Sequence, residues 1–347
     1  MKLSRNEKKT LRLLLENARV TDTEIGNQLK ITSQAVHKIK EKLSHRHIIK
    51  NYTTEINYAY LGVHIFAIAM IKILPQGRND DFVSKLMSHN VMGLYNIVNN
   101  KSTHILKCGF TSMEELWEFF DKLHSESSEY VVVNKVYTFP YSGFVKNSSK
   151  DLFDLLVEQS GEEDQSLSYS GVKYHYNDRK PPQMISLNDN EKGVLKLLVD
   201  DSSMSCCKIA ESIPYKSLTH SGVNKIKKKL ELNEVVDRYT VDLDYKLLGV
   251  ELFAFIFLKK KNNYWKLKDG ISQWALNNSN VMGCYKLHED SLHILQCGFR
   301  SLDELNEFVR FLEIENGDLF EVENVFISSL SGLIQDSSAN LFKTILK

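Results

Sequence analysis

The sequence has little of what marks a zinc site or a disulfide scaffold. Its five cysteines are an odd number, and no two of them have the CxxC spacing of a zinc site. Charge of one sign is not in excess either, because 44 Lys and Arg balance 44 Asp and Glu. We therefore predict a protein of a reducing compartment that does not coat nucleic acid over its whole surface.

Long apolar runs are missing from the amino terminus. Charge falls in every turn of the first twenty residues, so we expect neither a signal peptide nor a membrane span there. That start predicts a cytoplasmic protein. The 347 residues are 42% hydrophobic and 25% charged, which predicts a globular chain of two to four domains. No Ser/His/Asp grouping, phosphate-binding loop or carboxylate pair stands out. Neither catalytic residues nor a cofactor are predicted.

An internal duplication is the clearest positive feature of the sequence. Residues 90–95 (NVMGLY) recur as residues 280–285 (NVMGCY), and residues 104–110 (HILKCGF) recur as residues 293–299 (HILQCGF). The tripeptide Leu-Gly-Val at residue 61 also recurs, at residue 248. Three matches in the same order predict two copies of one unit, over about residues 3–157 and 187–347.

Each copy begins with a helical pattern. Apolar residues recur at helical spacing within the first 45 residues, which predicts three short amphipathic helices. Thr21 and Glu24 have the spacing of a capping box. Residues 48–56 are rich in β-branched side chains and predict a strand pair or wing. Three helices followed by a wing are typical of a winged helix-turn-helix.

The third helix of each copy carries the candidate contacts to double-stranded DNA. Recognition helices are predicted over about residues 33–45 and 220–231, with Val36, Ile39 and Leu43 facing inward in the first. Outward amide and hydroxyl groups suit base edges, and cations suit phosphates, although a solvated surface helix has the same pattern. The predicted DNA-binding residues are Ser33, Gln34, His37, Lys38, Lys40, Lys42 and Arg46 in the first copy, and His220, Ser221, Asn224, Lys225, Lys227 and Lys228 in the second.

The two helix-turn-helix segments differ in charge and in turn length. Residues 1–50 carry twelve Lys and Arg against five Asp and Glu, a net charge of +7. Residues 187–240 carry nine against eight, a net charge of +1. The turn over residues 213–218 of the second copy is also three residues longer. We therefore expect the first copy to dominate the affinity for DNA.

The back of each copy predicts an α+β domain. In the first copy, strand and helix patterns alternate as βαββαβ, and the first strand (residues 64–73) is apolar on both of its faces. A ferredoxin-like sheet of this order carries both helices on one face, so the second apolar face needs a partner. We expect the sheets of the two copies to pack together there.

These elements predict an α+β fold with two tandem copies of a winged helix-turn-helix plus a ferredoxin-like βαββαβ domain. The predicted domains, in chain order, are a helix-turn-helix (1–58), a ferredoxin-like domain (59–157), a polar linker (158–184), a second helix-turn-helix (185–245) and a second ferredoxin-like domain (246–347).

Both copies resemble the Lrp/AsnC, or feast/famine, family of bacterial and archaeal regulators. The resemblance rests on the pattern Val36-x-x-Ile39-x-x-x-Leu43, on residues 48–52 leading to Leu61-Gly62, and on the βαββαβ order that follows. It implies transcription regulation, DNA binding through the helix-turn-helix and a nucleoid-associated location. It also implies self-association, either as a pseudo-dimer within the chain or as a homo-oligomer.

The family's members often bind an amino acid between their ferredoxin-like domains. Their effector region usually has a glycine and an acidic residue in the turn between the middle strands. This chain instead has Asn-Asn-Lys-Ser at residues 99–102 and His-Glu-Asp-Ser at residues 288–291. A small-molecule effector is therefore left open.

Other functions are kept as alternatives. One is a siroheme decarboxylase, because these enzymes are similar to this family in both domains and use histidines in the ferredoxin-like part. The other is a helix-turn-helix protein that serves protein contacts alone. His104 and Cys108, repeated as His293 and Cys297, share a strand face at a spacing that suits a metal ligand pair. The alternative is that the pair packs in the interface between the two sheets.

Overall fold

The computed structural model describes residues 3–75, 80–87, 90–98, 103–147, 153, 184–213, 218–261, 270–287, 292–315, 317, 320–329 and 333–336. The predicted linker, except Met184, and the turns at residues 99–102, 214–217 and 288–291 lie outside them. Two compact units form, each from both halves of the chain. The first comprises Met1–Gly62, Gln183–Gly249 and Ile345–Lys347, and the second comprises Val63–Pro182 and Val250–Thr344. The five-segment domain division stays a prediction.

The first half of the chain follows the predicted order of elements. In chain order these are α1 (Arg5–Glu16), α2 (Asp22–Leu29), α3 (Ser33–His45), β1 (Ile49–Ile56), a 3₁₀ turn (Tyr58–Leu61), β2 (Ile65–Ile73), α4 (Asp80–Met87), β3 (Val91–Asn96), β4 (Thr103–Phe110), α5 (Met113–Ser125), β5 (Val131–Pro140), a 3₁₀ turn (Tyr141–Gly143) and β6 (Phe144–Asn147).

The second half repeats this order. Its elements are α6 (Asp189–Asp200), α7 (Cys206–Ser212), α8 (His220–Leu232), β7 (Val236–Leu243), β8 (Leu252–Lys260), α9 (Gly270–Asn277), β9 (Val281–Lys286), β10 (Leu292–Phe299), α10 (Leu302–Glu315), β11 (Phe320–Ser329) and β12 (Leu333–Asp336).

Capping boxes start α1, α2 and α6 of the first unit. Thr21 accepts a hydrogen bond from the backbone N–H of Glu24, whose carboxylate accepts one from the backbone N–H of Thr21, which confirms the predicted box. The first helices of the two copies share the same device, with Ser4 at one N-cap and Asn188 at the other. Each box satisfies two N–H groups that have no partner within the helix.

The strand after the third helix of each copy pairs differently from the prediction. A local strand pair was expected over residues 48–56. Within the part of the chain that the structure describes, β1 instead pairs antiparallel with β7, its counterpart in the other copy. Each copy contributes one strand of a two-stranded sheet, so this sheet joins the two helix-turn-helix segments.

The second unit contains two five-stranded antiparallel sheets that exchange an edge strand. One sheet has the order β12-β3-β4-β2-β5 and the other has the order β11-β8-β10-β9-β6. In each, four strands come from one copy and the edge strand comes from the other. Phe144 of β6 lies opposite Tyr285, and Leu333 of β12 lies opposite Tyr95.

Two helices cover one face of each sheet, as the ferredoxin-like prediction requires. In the first copy, Leu86 of α4 and Leu116 and Leu123 of α5 pack on alternate residues of the strands. Leu305 and Leu312 of α10 hold the same position in the second copy. This architecture confirms the predicted fold class. No helix among the described residues has the length and apolar character needed to cross a bilayer.

The alternative under which the His/Cys pairs pack in the interface between the two sheets is wrong, since His104 and His293 lie opposite Ile71 and Leu258 of the helix-covered cores. Cys108 and Cys297 lie in the helix-covered cores. Because side chains alternate along a strand, Lys107 and Gln296 face the other sheet and contact each other. Burial raises the pKa of both thiols, which disfavours the thiolate that a metal would bind.

The repeated Gly-x-Tyr of the NVMG segments has a packing reason. Tyr95 and Tyr285 are fully buried, and each folds back over the glycine two residues before it. A Cβ atom on Gly93 would lie 2.9 Å from the ring of Tyr95. On Gly283 it would lie 2.5 Å from the hydroxyl oxygen of Tyr285. Glycine therefore makes room for the ring on the face where the two sheets meet.

Candidate nucleic-acid interface

Helix α3 presents a polar face to solvent. Its bounds, Ser33–His45, match the predicted recognition helix, and Thr32 caps it by accepting a hydrogen bond from the backbone N–H of Ala35. Val36 and Leu43 are fully buried against the other helices. The predicted contacts Ser33, Gln34, His37 and Lys38 are all exposed.

The remaining predicted cations of the first copy have carboxylate partners. Lys40 donates to Asp22 over 3.0 Å and lies 5.9 Å from the ring centroid of Tyr52. Lys42 and Arg46 lie 2.8 and 3.2 Å from one carboxylate oxygen of Glu7. These three side chains thus hold α3 against carboxylates of α1 and α2 in the same copy.

Acidic groups also flank the outward face of α3. His37 lies 3.5 Å from a carboxylate oxygen of Asp22 and 3.4 Å from one of Glu41. Burial raises the pKa of Glu7, but hydrogen bonds from Lys42 and Ser4 outweigh it and hold that pKa below its ordinary value. Part of the positive charge of the first copy is therefore neutralised locally.

Helix α8 presents a more basic face. It begins at His220, as predicted, and ends at Leu232, one residue beyond the predicted end. The predicted contacts on it are exposed apart from Lys227. Lys228 stands where the first copy has Glu41. The exposed predicted residues are His220, Ser221, Asn224, Lys225 and Lys228.

Lys227 differs from the other predicted contacts because only 8% of it is exposed. Its ammonium lies 5.8 Å from the ring centroid of Tyr239, as Lys40 does above Tyr52 in the first copy. The stem of the lysine packs in the core of the unit. Lys229 in turn donates to Glu191 over 2.5 Å, which repeats the bond between Lys42 and Glu7.

A local two-fold axis relates the two helix-turn-helix segments. In the β1–β7 pair, Thr53 lies opposite Thr240. Both follow a tyrosine and hold the same place in their copies. Two antiparallel strands in which a residue faces its own equivalent are related by a two-fold axis at that point. The unit is therefore a dimer-like arrangement within one chain.

Reciprocal hydrogen bonds support this symmetry. The hydroxyl of Thr53 donates to the carbonyl of Val199, and the hydroxyl of Thr240 donates to the carbonyl of Leu15, both over 3.0 Å. Each strand thereby bonds to the carboxyl end of the other copy's first helix. Helices α3 and α8, the two predicted recognition helices, consequently belong to one compact unit.

Ionic contacts across the same sheet are not symmetric. Arg238 of β7 donates two hydrogen bonds of 2.7 Å to the carboxylate of Glu55. The equivalent positions carry Asn51 and Asp242, which are not a pair of opposite charges. Arg19 donates to the carbonyls of Ser202 and Met204, whereas its equivalent in the second copy is Ser203. The two copies therefore have the same backbone arrangement in this unit, but different side chains make the contacts between them.

The pairing through β1 and β7 was missed at the sequence level. A signal for it exists, since Tyr-Thr at residue 52 recurs at residue 239, next to strands of similar composition. Two residues do not reveal which strand is the partner, because a hairpin within one copy has the same composition.

The candidate metal pair lies elsewhere, and within the described ranges no three His, Cys, Asp or Glu side chains converge on one point.

Comparison with known proteins identifies relatives of single-copy length. An uncharacterized HTH-type transcriptional regulator of Pyrococcus furiosus is 31% identical over 126 residues, which are 36% of this chain and 81% of the relative. The HTH-type transcriptional regulator FL11 of the same organism is 25% identical over 136 residues, 38% of this chain and 89% of the relative. No protein-family model matches the chain.

A similar fold over the whole chain is found in the crystal structure of the siroheme decarboxylase NirDL. It has a TM-score of 0.54 and covers 99% of this chain and 98% of that chain, at 11% sequence identity. At such an identity the likeness concerns the fold alone. The family follows instead from the first relative, which is matched over most of its length, and the chain belongs to the HTH-type transcriptional regulators.

Proposed function

We propose that this chain is a sequence-specific DNA-binding regulator of the Lrp/AsnC kind that binds its site as a single chain. The observation that supports this most is the antiparallel β1–β7 pair, in which Thr53 faces Thr240. A homodimeric regulator presents two recognition helices to two half-sites through its symmetry. Here the local two-fold axis gives one chain the same two helices.

The exposed side chains suit the two tasks of a recognition helix. On α3, Ser33 and Gln34 carry groups that bond base edges in the major groove, while Lys38 suits a phosphate. On α8, Asn224 takes the place of His37 and offers an amide for a base edge. Because the outward residues differ, the two half-sites differ, and the preferred site is an imperfect palindrome.

Cations that already have partners have a supporting role in this proposal. Lys40, Lys42 and Arg46 hold α3 against Asp22 and Glu7. Lys227 is packed against Tyr239. These four side chains orient the recognition helices, and the exposed lysines supply most of the phosphate contacts.

Selection of DNA sites from a random pool, followed by footprinting, tests the proposal. We expect an enriched imperfect palindrome that is occupied by one chain, with the mass of the complex measured by light scattering. A perfectly symmetric site, or a complex with two chains on one site, would contradict the single-chain mode. If no site is enriched, the helix-turn-helix segments serve protein contacts instead.

A siroheme-decarboxylase-like activity is the second candidate, because the fold match to NirDL spans the whole chain. Histidine chemistry in the ferredoxin-like part needs an imidazole that reaches the substrate. His104 and His293 are only 6% and 2% exposed. We expect no change in the absorbance spectrum of siroheme when this protein is titrated into it. A shift that saturates at one equivalent would favour the enzyme.

A further inference from the structure

A buried polar cluster lies between the two sheets of the second unit. The ammonium of Lys107 donates to Oε1 of Gln296 over 3.1 Å. The hydroxyl of Tyr285 donates to the same oxygen over 2.9 Å, and Nε2 of Gln296 donates to the hydroxyl of Tyr95 over 3.1 Å. Lys107 is 7% exposed and Gln296 is 3% exposed. Groups so far from water are costly to leave unbonded, so the cluster constrains which sheets can meet.

The members of this cluster are equivalent residues of the two copies. Lys107 stands in HILKCGF where Gln296 stands in HILQCGF, and Tyr95 and Tyr285 end the two NVMG segments. When equivalent residues contact each other, they lie on the two-fold axis of the pair. Whichever two sheets pair in this way, the residue at position 107 or 296 of one sheet therefore contacts the residue at the equivalent position of the other.

We propose that Lys107 and Gln296 select which sheets pair, so that the sheet of the first copy accepts the sheet of the second copy and rejects another first copy. Two first copies would bring two Lys107 ammoniums together in a place that excludes water. Like charges in contact strongly repel each other when they are desolvated, whereas Gln296 offers the ammonium an oxygen. The rings of Tyr95 and Tyr285, whose centroids lie 5.9 and 5.2 Å from the ammonium, favour a single cation.

A second buried lysine shows the same asymmetry at the exchanged strands. Lys146 of β6 is 2% exposed and donates to the carbonyls of Ala275, Leu276 and Asn278, at 3.3, 3.3 and 2.8 Å. These carbonyls belong to the carboxyl end of α9 in the second copy, where a cation is favoured. The position equivalent to Lys146 is Gln335. At both positions the first copy has lysine and the second copy has glutamine.

This selectivity concerns assembly and does not depend on DNA binding. In a chain with two similar copies, pairing of like copies from different chains would produce open-ended assemblies. The penalty on two first copies leaves pairing of unlike copies as the favoured arrangement. The partner that fits the first sheet is therefore the second sheet, and the closed single chain is the preferred product.

A charge exchange in the full-length protein tests the proposal. Gln296→Lys creates, within one chain, the Lys–Lys contact that pairing of two first copies would create. We expect it to raise the unfolding equilibrium constant by roughly a hundredfold in urea titrations. Adding Lys107→Gln to this variant exchanges the two residues across the axis, and we expect the double variant to return to within about tenfold of the wild type.

Gln296→Met is the matched control, because it removes the same hydrogen bonds and keeps the length of the side chain without adding charge. Lys107→Gln should restore the Gln296→Lys chain and should not restore the Gln296→Met chain. The proposal is overturned if Gln296→Lys is no less stable than Gln296→Met, or if Lys107→Gln restores both chains equally. If Gln296→Lys does not fold at all, the double variant with Lys107→Gln still tests the proposal, because we expect that chain to fold.

Discussion

The two recognition helices occupy equivalent places in the fold. The helix from the segment with the lower net charge nevertheless has the more basic outward face. Residues 1–50 have a net charge of +7, yet α3 exposes Glu41 beside Lys38 on its outward face. Residues 187–240 have a net charge of +1, yet α8 exposes both Lys225 and Lys228. The residues on the outward face of each helix, and not the net charge of its segment, therefore decide how much charge the helix presents.

The hydrophobic cores that hold the two helices should contribute equally to stability if the copies differ only on their outward faces. Leu43 and Leu230 hold equivalent places and are 0% and 1% exposed. We expect Leu43→Ala and Leu230→Ala to lower the free energy of unfolding by similar amounts, about 3 kcal/mol each, since each leaves a cavity. Urea titration followed by circular dichroism measures both. Losses that differ by more than about 1.5 kcal/mol would place the difference between the copies in their cores.

The sequence predicted the helices and strands of the scaffold, but it did not predict which candidate contacts are exposed. The spacing of Val36, Ile39 and Leu43 predicted α3 because burial of one helix face produces its own periodicity. The burial of Lys227 could not be predicted, because it depends on the ring of Tyr239, which reaches α8 only in the folded unit. The β1–β7 pair was missed for a similar reason, since a strand's composition does not name its partner.

The salt dependence of DNA binding compares the outward faces directly. We expect Lys225→Ala with Lys228→Ala to lower the slope of log K against log salt by about two units, and Lys38→Ala to lower it by about one. Each slope reports the phosphate contacts that are lost. Lys227→Met serves as the control, and it should leave the slope unchanged. If the α8 double variant lowers the slope no more than Lys38→Ala does, the two exposed lysines of α8 do not both contact phosphates.

One substitution should make the first helix resemble the second. Glu41 of α3 stands where α8 has Lys228, so Glu41→Lys exchanges an acid beside His37 for a cation. We expect tighter binding and a slope that rises by about one unit if the new lysine reaches a phosphate. Glu41→Gln separates the two effects, because it removes the acid and adds no cation. Weaker binding by Glu41→Lys would show that Glu41 contacts the DNA itself.

The smallest expected effect concerns Glu7, which holds Lys42 and Arg46 on the first recognition helix. Its pKa in the folded protein lies below the ordinary value of 4.5, so the folded state favours the ionised carboxylate. The contribution of Glu7 to stability is therefore present above the pKa of the unfolded chain and is lost as the pH falls through the folded pKa.

We accordingly expect Glu7→Gln to cost about 1 kcal/mol of unfolding free energy at pH 7, since the exposed part of its partners weakens each ion pair. The difference from the wild type should shrink as the pH falls below 4.5, the ordinary pKa of the group. Urea titrations at pH 7 and at lower pH measure this difference. A cost that stays constant over this range would mean that Glu7 supports α3 through packing alone, and not through its ion pairs with Lys42 and Arg46.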